Sequence, residues 1–363
     1  MSSPGPAYIV LPGDVDDVTA PSGGNVYDRR LCRTLAAAGR PLREVAVRGA
    51  WPHPDSAARQ ALAGALAAVP DCAVVLLDGL VACAVPEVVV PQTRRLRTAV
   101  LVHLPLADET GLDPAAARAL DALERETLRA AAAVVATSPW AARRIAERHA
   151  LSVGRVHTVM PGTDPAPLTP GTGGGTRLLC VASLTPRKGH DVLAEALAAV
   201  ADLPWTCRCV GPPGRGPGHL ARVRELITRH GLDERVHLTG PLTGEPLAAE
   251  YAAADLLVLP SHAETFGMVV TEALMRGTPV LASATGGVPE ALGLAPDGTP
   301  PGVLVPPGDA AALAAALRRW LVDAGTRGRL RAAARGRRET LHGWEHAARE
   351  MTTVLEPLRE GSR

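Results

Sequence analysis

Two carboxylates and a glycine stand close together in the stretch SHAETFGMVVTEALMRGTPVLAS, residues 261–283. Glu264 precedes Gly267, Glu272 follows it, and seven residues separate the glutamates. The run DLLVLPS (255–261) reads as a buried strand, HAETFG as a loop, and MVVTEALMR as a helix stopped by Gly277. Gly267 sits where the chain turns into that helix and lets backbone approach a ligand closely. The N–H groups of residues 267–270 lack partners within the helix and point out of its start, which makes an anion site. One carboxylate ahead of an anion site and another about one turn behind it suit a ligand with a central phosphate and hydroxyls at both ends. A nucleotide sugar is such a ligand. Phe266, the single phenylalanine of the chain, reads as packing that fixes the turn.

The stretch SLTPRKGHDVL (183–193) carries a related device, with Arg187 and Lys188 placed just before Gly189 and a helix. Two cations at a helix N-terminus oppose its dipole, and a bound anion would remove the conflict. A loop pair in water explains them equally well. His103 closes a strand-like run, TAVLVHLP (98–105), where it is either a core histidine or a group at a ligand site.

These residues need a scaffold, and 363 residues suit two domains rather than one core. The chain is 47% hydrophobic and 21% charged, as expected of a soluble globular protein. A net charge of +1 and the absence of Cys/His finger spacing argue against nucleic-acid binding. Arg94, Arg95 and Arg97 read as a solvated patch, and the six scattered cysteines as reduced thiols of a cytoplasmic protein. MSSPGPAYIVLPGDVDD has no cationic leader, and the most apolar stretch, 72–91, is broken by Asp78, Pro86 and Glu87, which argues against a membrane span.

Short apolar runs alternate with helical patterns, the signature of βα units and parallel sheets. Strands are expected at 7–13, 73–79, 98–105 and 132–138, with a glycine-opened helix at 23–39 and another at 113–131. PGTDPAPLTPGTGGG (161–175) reads as an interdomain linker. A second series follows, with strands at 177–184, 205–211, 235–240, 255–261 and 278–283, the last completing the sheet. The fold class is α/β, with two doubly wound domains and a cleft between them.

AETFGMVVTEALMRGTPVLAS, LTPRKGHDVL, ADLLVLPS and VMPGTD resemble the retaining glycosyltransferases of the GT-B fold, in the large family 4 (group 1) type. That group is marked by two glutamates with seven residues between them. The resemblance runs from PSGGNVYDRRL to the tail and is densest over 177–310. It implies two Rossmann-like domains facing a central cleft: an acceptor-binding domain at 1–165, a linker at 166–176 and a nucleotide-sugar-binding domain at 177–340. A tail helix at 341–363 would cross back onto the first domain.

By the same resemblance, Glu264 holds donor-sugar hydroxyls and Glu272 the ribose. The segment Thr265, Phe266, Gly267, Met268 and Val269 supplies backbone to diphosphate and sugar, and Lys188 binds the diphosphate. Gly23 and Gly24 match a glycine loop that lets the first domain close on the donor. His103 matches a histidine at the cleft, so His103, Lys188 and Glu264 are the expected catalytic groups. Members often carry an arginine where this chain has Ser183, and Arg187 is the substitute. The implied reaction moves a sugar from a nucleotide-diphosphate sugar, UDP favoured over GDP-mannose, to a small soluble acceptor with retained configuration. It implies no protein nucleophile, no required metal or other cofactor, and no stable membrane insertion.

Asp14 and Asp16 form the Asp-x-Asp pattern of metal-dependent transferases of the other common fold, but capping or acceptor contact fits their place after the first strand better. Asp108 and Glu109 either face the acceptor or begin a helix. The alternative functions are a nucleotide-sugar epimerase or hydrolase of the same fold and a non-catalytic sugar-nucleotide-binding subunit. Base contacts are expected near 211–216 and 237–241, largely through backbone.

Overall fold

A computed structural model of the chain describes residues 6–214 and 217–360. Residues 1–5, which open the stretch read as lacking a leader, lie outside the described residues. So do 215 and 216, within the segment assigned to base contacts. The chain forms two compact units. Among the described residues, the first takes those up to Asp17, Gly23–Gly162 and Trp344–Glu360; the second takes Val18–Ser22 and those from Thr163 to Gly343.

The first unit is a parallel sheet of β1 (Ala7–Pro12), β2 (Leu42–Val47), β3 (Val74–Asp78), β4 (Arg97–Val102), β5 (Ala133–Ala136) and β6 (Val156–Thr158). Its spatial order is β2-β1-β3-β4-β5-β6. The second unit contains β7 (Arg177–Val181), β8 (Thr206–Val210), β9 (Val236–Gly240), β10 (Leu256–Leu259), β11 (Val280–Ser283) and β12 (Gly302–Val305). These are ordered β12-β11-β10-β7-β8-β9, again all parallel. The central strands are buried on both faces, which is why they read as unbroken apolar runs.

Each strand order reverses once, between β1 and β3 in the first unit and between β7 and β10 in the second. Loops leaving the carboxyl ends of the two strands at such a reversal diverge to opposite faces and leave a crevice where ligands bind. In the second unit those are the loops that carry Lys188 and Glu264. In the first they lead to helix Gly23–Ala37 and to Asp78, with His103 just past the next strand, β4.

Several details differ from expectation. Strand 278–283 does not complete its sheet, because β12 pairs outside it. The Pro/Gly-rich segment expected to be a linker is tied to the second unit. Thr172 donates through its amide to Asp255 Oδ1 at 2.8 Å, the Thr169 amide donates to Arg276 O at 2.8 Å, and Trp320 donates to Gly175 O at 2.7 Å. Asp255 is fully buried and also meets Arg331 at 2.7 Å, so a charge within the domain anchors the segment.

The arginine patch is likewise committed. Arg95 donates to Leu66 O in the last turn of helix Ser56–Ala67, and Arg97 to Leu358 O in helix Trp344–Glu360. Carbonyls at a helix C-terminus lack intrahelical partners, and guanidinium groups satisfy them. That last helix packs in the first unit against helix Gly23–Ala37, with the Trp344 ring edge-on to Tyr27 at 5.5 Å. All six cysteines are free thiols, and no described helix is long and apolar enough to cross a membrane.

Candidate active site

In the second unit, β7 and β10 deliver Lys188 and Glu264 to one point. Lys188 Nζ donates to Glu264 Oε1 at 2.6 Å, Ser261 Oγ donates to the same oxygen at 2.8 Å, and Arg187 Nη1 lies 3.8 Å from Oε2. Glu264 is only 7% exposed. The two loops also join through backbone, the His262 amide donating to Arg187 O at 2.8 Å. Gly189, at φ +67°, passes so close to β10's loop that a Cβ would lie 2.2 Å from Pro260 O. The cations of 187–188 therefore do not hang in water. They lie against a buried carboxylate.

Burial by itself would raise the Glu264 pKa. The charges of Lys188 and Arg187, with hydrogen bonds from Lys188 and Ser261, outweigh burial and bring it below the ordinary value. Burial draws the Lys188 ammonium down, Glu264 lifts it, and Arg187 lowers it again, leaving it below the usual lysine value. Arg187 thus acts with burial against the ammonium but against burial at the carboxylate, so both pKa values move down. One of Lys188's three N–H donors is committed to Glu264, so the remaining ones can serve an anion.

Behind Glu264 the chain turns through buried Phe266 and Gly267, at φ +90°, into helix Met268–Met275. No side chain caps this helix, so its leading amides carry no cap of their own. Glu272 lies one turn in and does not join the Lys188–Glu264 pair. It accepts from the Tyr251 hydroxyl at 2.6 Å, and Arg276 stacks over the Tyr251 ring at 4.5 Å. Tyr251 is thus a support for Glu272 that sequence spacing does not show. A third loop closes on the site from β11: the Gly287 amide donates to Glu264 O at 3.1 Å, and Thr285 Oγ1 to His262 O at 2.9 Å.

In the first unit, His103 Nε2 lies 2.9 Å from Asp28 Oδ1 and 3.6 Å from Asp78 Oδ2. Gly24 abuts the imidazole, since a Cβ there would lie 3.1 Å from His103 Cδ2. Gly24 and Asp28 are four residues apart on one helix face, so a single turn shapes both contacts. Sequence reasoning selected His103, Gly23 and Gly24 but neither aspartate. Burial and the Asp28 charge raise the Asp78 carboxyl to about 7, against His103 and the Leu80 amide, which lower it. Burial lowers the His103 pKa, yet the Asp28 charge and hydrogen bond, with the Asp78 charge, leave it raised.

Asp28, Asp78 and His103 also form a described group whose possible ligand atoms lie within 4.8 Å of one another. Within the group, Nε2 of the imidazole is bonded to Asp28 Oδ1. Asp16 is engaged by Arg29 at 2.7 Å, so its carboxylate serves an ion pair. Asp108 is held by Arg148 at 2.6 Å and Arg144 at 3.3 Å, and Glu109 accepts from the Thr110 amide at 2.9 Å. The helix that follows is capped by Asp113, which accepts from the Ala115 and Ala116 amides, so Asp108 and Glu109 are engaged by neighbours without capping it.

Residues 172–337, which include Lys188, Glu264 and Glu272, match the family model described as glycosyl transferases group 1. The chain carries a glycosyl transferases group 1 domain. Its relatives include a D-inositol 3-phosphate glycosyltransferase of Salinispora tropica, 33% identical over 64% of this chain and 52% of the relative. A D-inositol 3-phosphate glycosyltransferase 1 of Catenulispora acidiphila is 33% identical over 70% of this chain and 64% of the relative. The match thus spans about half to two-thirds of these curated relatives.

Among solved structures, sucrose-phosphate synthase from Thermosynechococcus elongatus superposes with a TM-score of 0.78 at 25% identity, covering 98% of this chain and 100% of that one. Anabaena Alr3699/HepE, solved in complex with UDP and glucose, gives 0.72 at 18% identity over 96% and 99%. With these neighbours, the two parallel sheets of the chain constitute a GT-B fold.

Proposed function

We propose that this group 1 protein transfers a sugar from a nucleotide-diphosphate sugar to a small acceptor, with retained anomeric configuration. The observation that carries the reading is the buried Glu264 carboxylate, bonded to Lys188 and Ser261 at a strand-order reversal and followed directly by an uncapped helix start. In this reading Glu264 accepts hydrogen bonds from sugar hydroxyls, Glu272 takes the ribose, and amides from Phe266 to Val269 meet the diphosphate. The leaving diphosphate gains charge as the glycosidic bond breaks. Lys188, Arg187 and the helix start oppose that charge, which is electrostatic catalysis without a protein nucleophile or a required metal. The proton of the acceptor passes to an oxygen of the departing phosphate. UDP is the favoured nucleotide, supported by the UDP complexes of the HepE neighbour. The names of the curated relatives support a polyol phosphate as one acceptor to try.

A thermal-shift panel of UDP, GDP, UDP-sugars and GDP-mannose tests the donor, followed by donor consumption with and without myo-inositol phosphate and related polyols. Stabilisation by a nucleotide sugar and acceptor-dependent consumption are expected. No stabilisation by any nucleotide would sink the reading, and acceptor-independent consumption would move it to an epimerase or hydrolase.

Phe266 supplies a separate check on the geometry. It is buried under the turn between Glu264 and the helix amides. Phe266→Ala is expected to weaken donor binding about tenfold or more while the protein still melts cooperatively, because the turn loses its support. A large loss of stability with unchanged donor affinity would make Phe266 an ordinary core residue.

A further inference from the structure

The cluster in the first unit has the geometry of an oriented histidine. Asp28 is fully buried, Asp78 is 4% exposed, and the His103 side chain is 18% exposed. Asp28 Oδ1 meets Nε2 at 2.9 Å. The other Asp28 oxygen is buried with no hydrogen-bond donor, and Asp78 is the carboxyl placed to share a proton with it. Asp78 is itself fixed, accepting from the Leu80 amide at 2.6 Å at the start of the turn Gly79–Ala82. Gly24 leaves room for the ring, and Tyr27 packs edge-on against it at 5.1 Å. The imidazole is therefore held by one nitrogen and by both flanks, at the carboxyl ends of the strands beside the β1/β3 reversal. Its other nitrogen, Nδ1, has no bond to a described residue, and the hydrogen bond made by one imidazole nitrogen sets the state of the other.

We propose that Asp28 is a positioning residue for His103: it fixes the ring through Nε2 and, as the buried counter-charge, favours the imidazolium form, so that Nδ1–H is presented as a donor to an oxygen of the substrate bound by this unit. Asp78, whose carboxyl is raised to about 7 by burial and the Asp28 charge, completes the device as the group placed to share a proton with the second Asp28 oxygen. The proposal rests on the sugar-transfer reading above and adds residues that the pattern of the paired glutamates does not contain.

The titratable groups around the cluster leave this balance to the two aspartates. Tyr27 and Cys32 share the helix with Asp28, Cys83 follows the Asp78 turn, and Glu350 reaches Tyr27 from the last helix. Burial raises the Tyr27 phenol and the Cys83 thiol well above their ordinary values and the Cys32 thiol to about 12, which keeps all three neutral near pH 7. For His103, burial and the Asp28 charge act in opposite senses, and the charge prevails. Removing that charge must lower the histidine pKa, and an alkaline limb in turnover should move to lower pH with it.

The test uses the full chain labelled with 15N-histidine, with the His103 signal assigned by comparison with His103→Gln. In the wild type the imidazole should titrate above the ordinary 6.5. In Asp28→Asn, which keeps the side-chain shape, the midpoint should fall by about one pH unit or more. Turnover should fall about 100-fold with donor KM changed less than threefold, since positioning serves the reacting complex rather than donor capture. Asp78→Asn should keep the His103 midpoint above 6.5 and abolish the carboxyl titration near 7. An unchanged His103 midpoint in Asp28→Asn would overturn the proposal. So would a shifted midpoint with unchanged turnover, which would make the pair structural. If the wild type consumes no nucleotide sugar, the functional reading falls, while the titration still shows whether Asp28 governs the ring.

Discussion

Lys188→Ala should lower kcat/KM for the nucleotide-sugar donor by about 100- to 1,000-fold and destabilise the protein by about 3 kcal/mol. Both effects follow from one contact. Lys188 Nζ lies 2.6 Å from a Glu264 carboxylate that is 7% exposed. Removing one partner of a buried pair leaves the other charge without compensation, and that cost exceeds the net worth of the pair. Ser261 and Arg187 remain near Glu264, which places the stability loss at the low end of the range for broken buried pairs. The catalytic loss has a different origin in the proposed reaction, where the ammonium would also oppose charge developing on the leaving diphosphate. Steady-state kinetics and urea unfolding separate the two. Arg187→Ala, measured alongside, decides whether that guanidinium replaces the arginine missing at Ser183. Its Nη1 donates to Ala263 O at 3.2 Å, so it also braces the Glu264 loop. Donor affinity and turnover within threefold of wild type in Lys188→Ala would remove Lys188 from the site.

The second large effect is expected at Gly286, which carries no functional group. This glycine has φ +57°, and a Cβ there would lie 1.6 Å from Glu264 O and 2.8 Å from Glu264 C. Both neighbours are backbone, so no flexible side chain can yield. The next residue, Gly287, donates to the same carbonyl at 3.1 Å, which holds the two loops together. Gly286→Ala should therefore cost about 3 kcal/mol or more and displace Glu264 enough to weaken donor binding. Gly298→Ala is the control. It also has positive φ, +81°, but nothing lies within 4 Å of the added Cβ. It should lose only the conformational cost, about 1–2 kcal/mol, and keep donor affinity. Equal losses in the two variants would show that the contact with Glu264 is of no consequence.

The outline of the fold was legible because a parallel sheet buried on both faces leaves a strong signature. Runs such as AVVLLDG and DLLVLPS can be little else when they alternate with helical periodicity. The misses share a physical cause. Strand β2 is half exposed and β6 is three residues long, so neither forms a continuous apolar run. Strand β12 pairs only through its register with β11, which no local pattern announces. The segment 161–175 looked like a tether because composition reports what a stretch cannot bury. It does not report that Asp255, far along the chain, accepts its amide.

The Lys188–Glu264 pair stands between these cases. Its residues stood out in sequence because each belongs to a loop–helix junction with its own chemistry. Their mutual contact did not, since it depends on β7 and β10 being neighbours although two strands intervene in the chain.

The sequence alone determined which residue types follow the carboxyl ends of strands: a carboxylate at 264, cations at 187–188, a histidine at 103 and glycines where the backbone must turn sharply, with a second carboxylate at 272 one turn into the helix. Those are local properties, set by strand length, helix starts and glycine placement. Only the tertiary structure decided which of them meet. The reversal at β7/β10 brings Glu264 to Lys188, Glu272 meets Tyr251 of the preceding helix, and helix Gly23–Ala37 with strands β3 and β4 brings His103 to Asp28 and Asp78. Charge state follows from the same contacts, because whether a carboxyl is driven up by burial, as at Asp78, or held down by cations, as at Glu264, depends on neighbours distant in the chain.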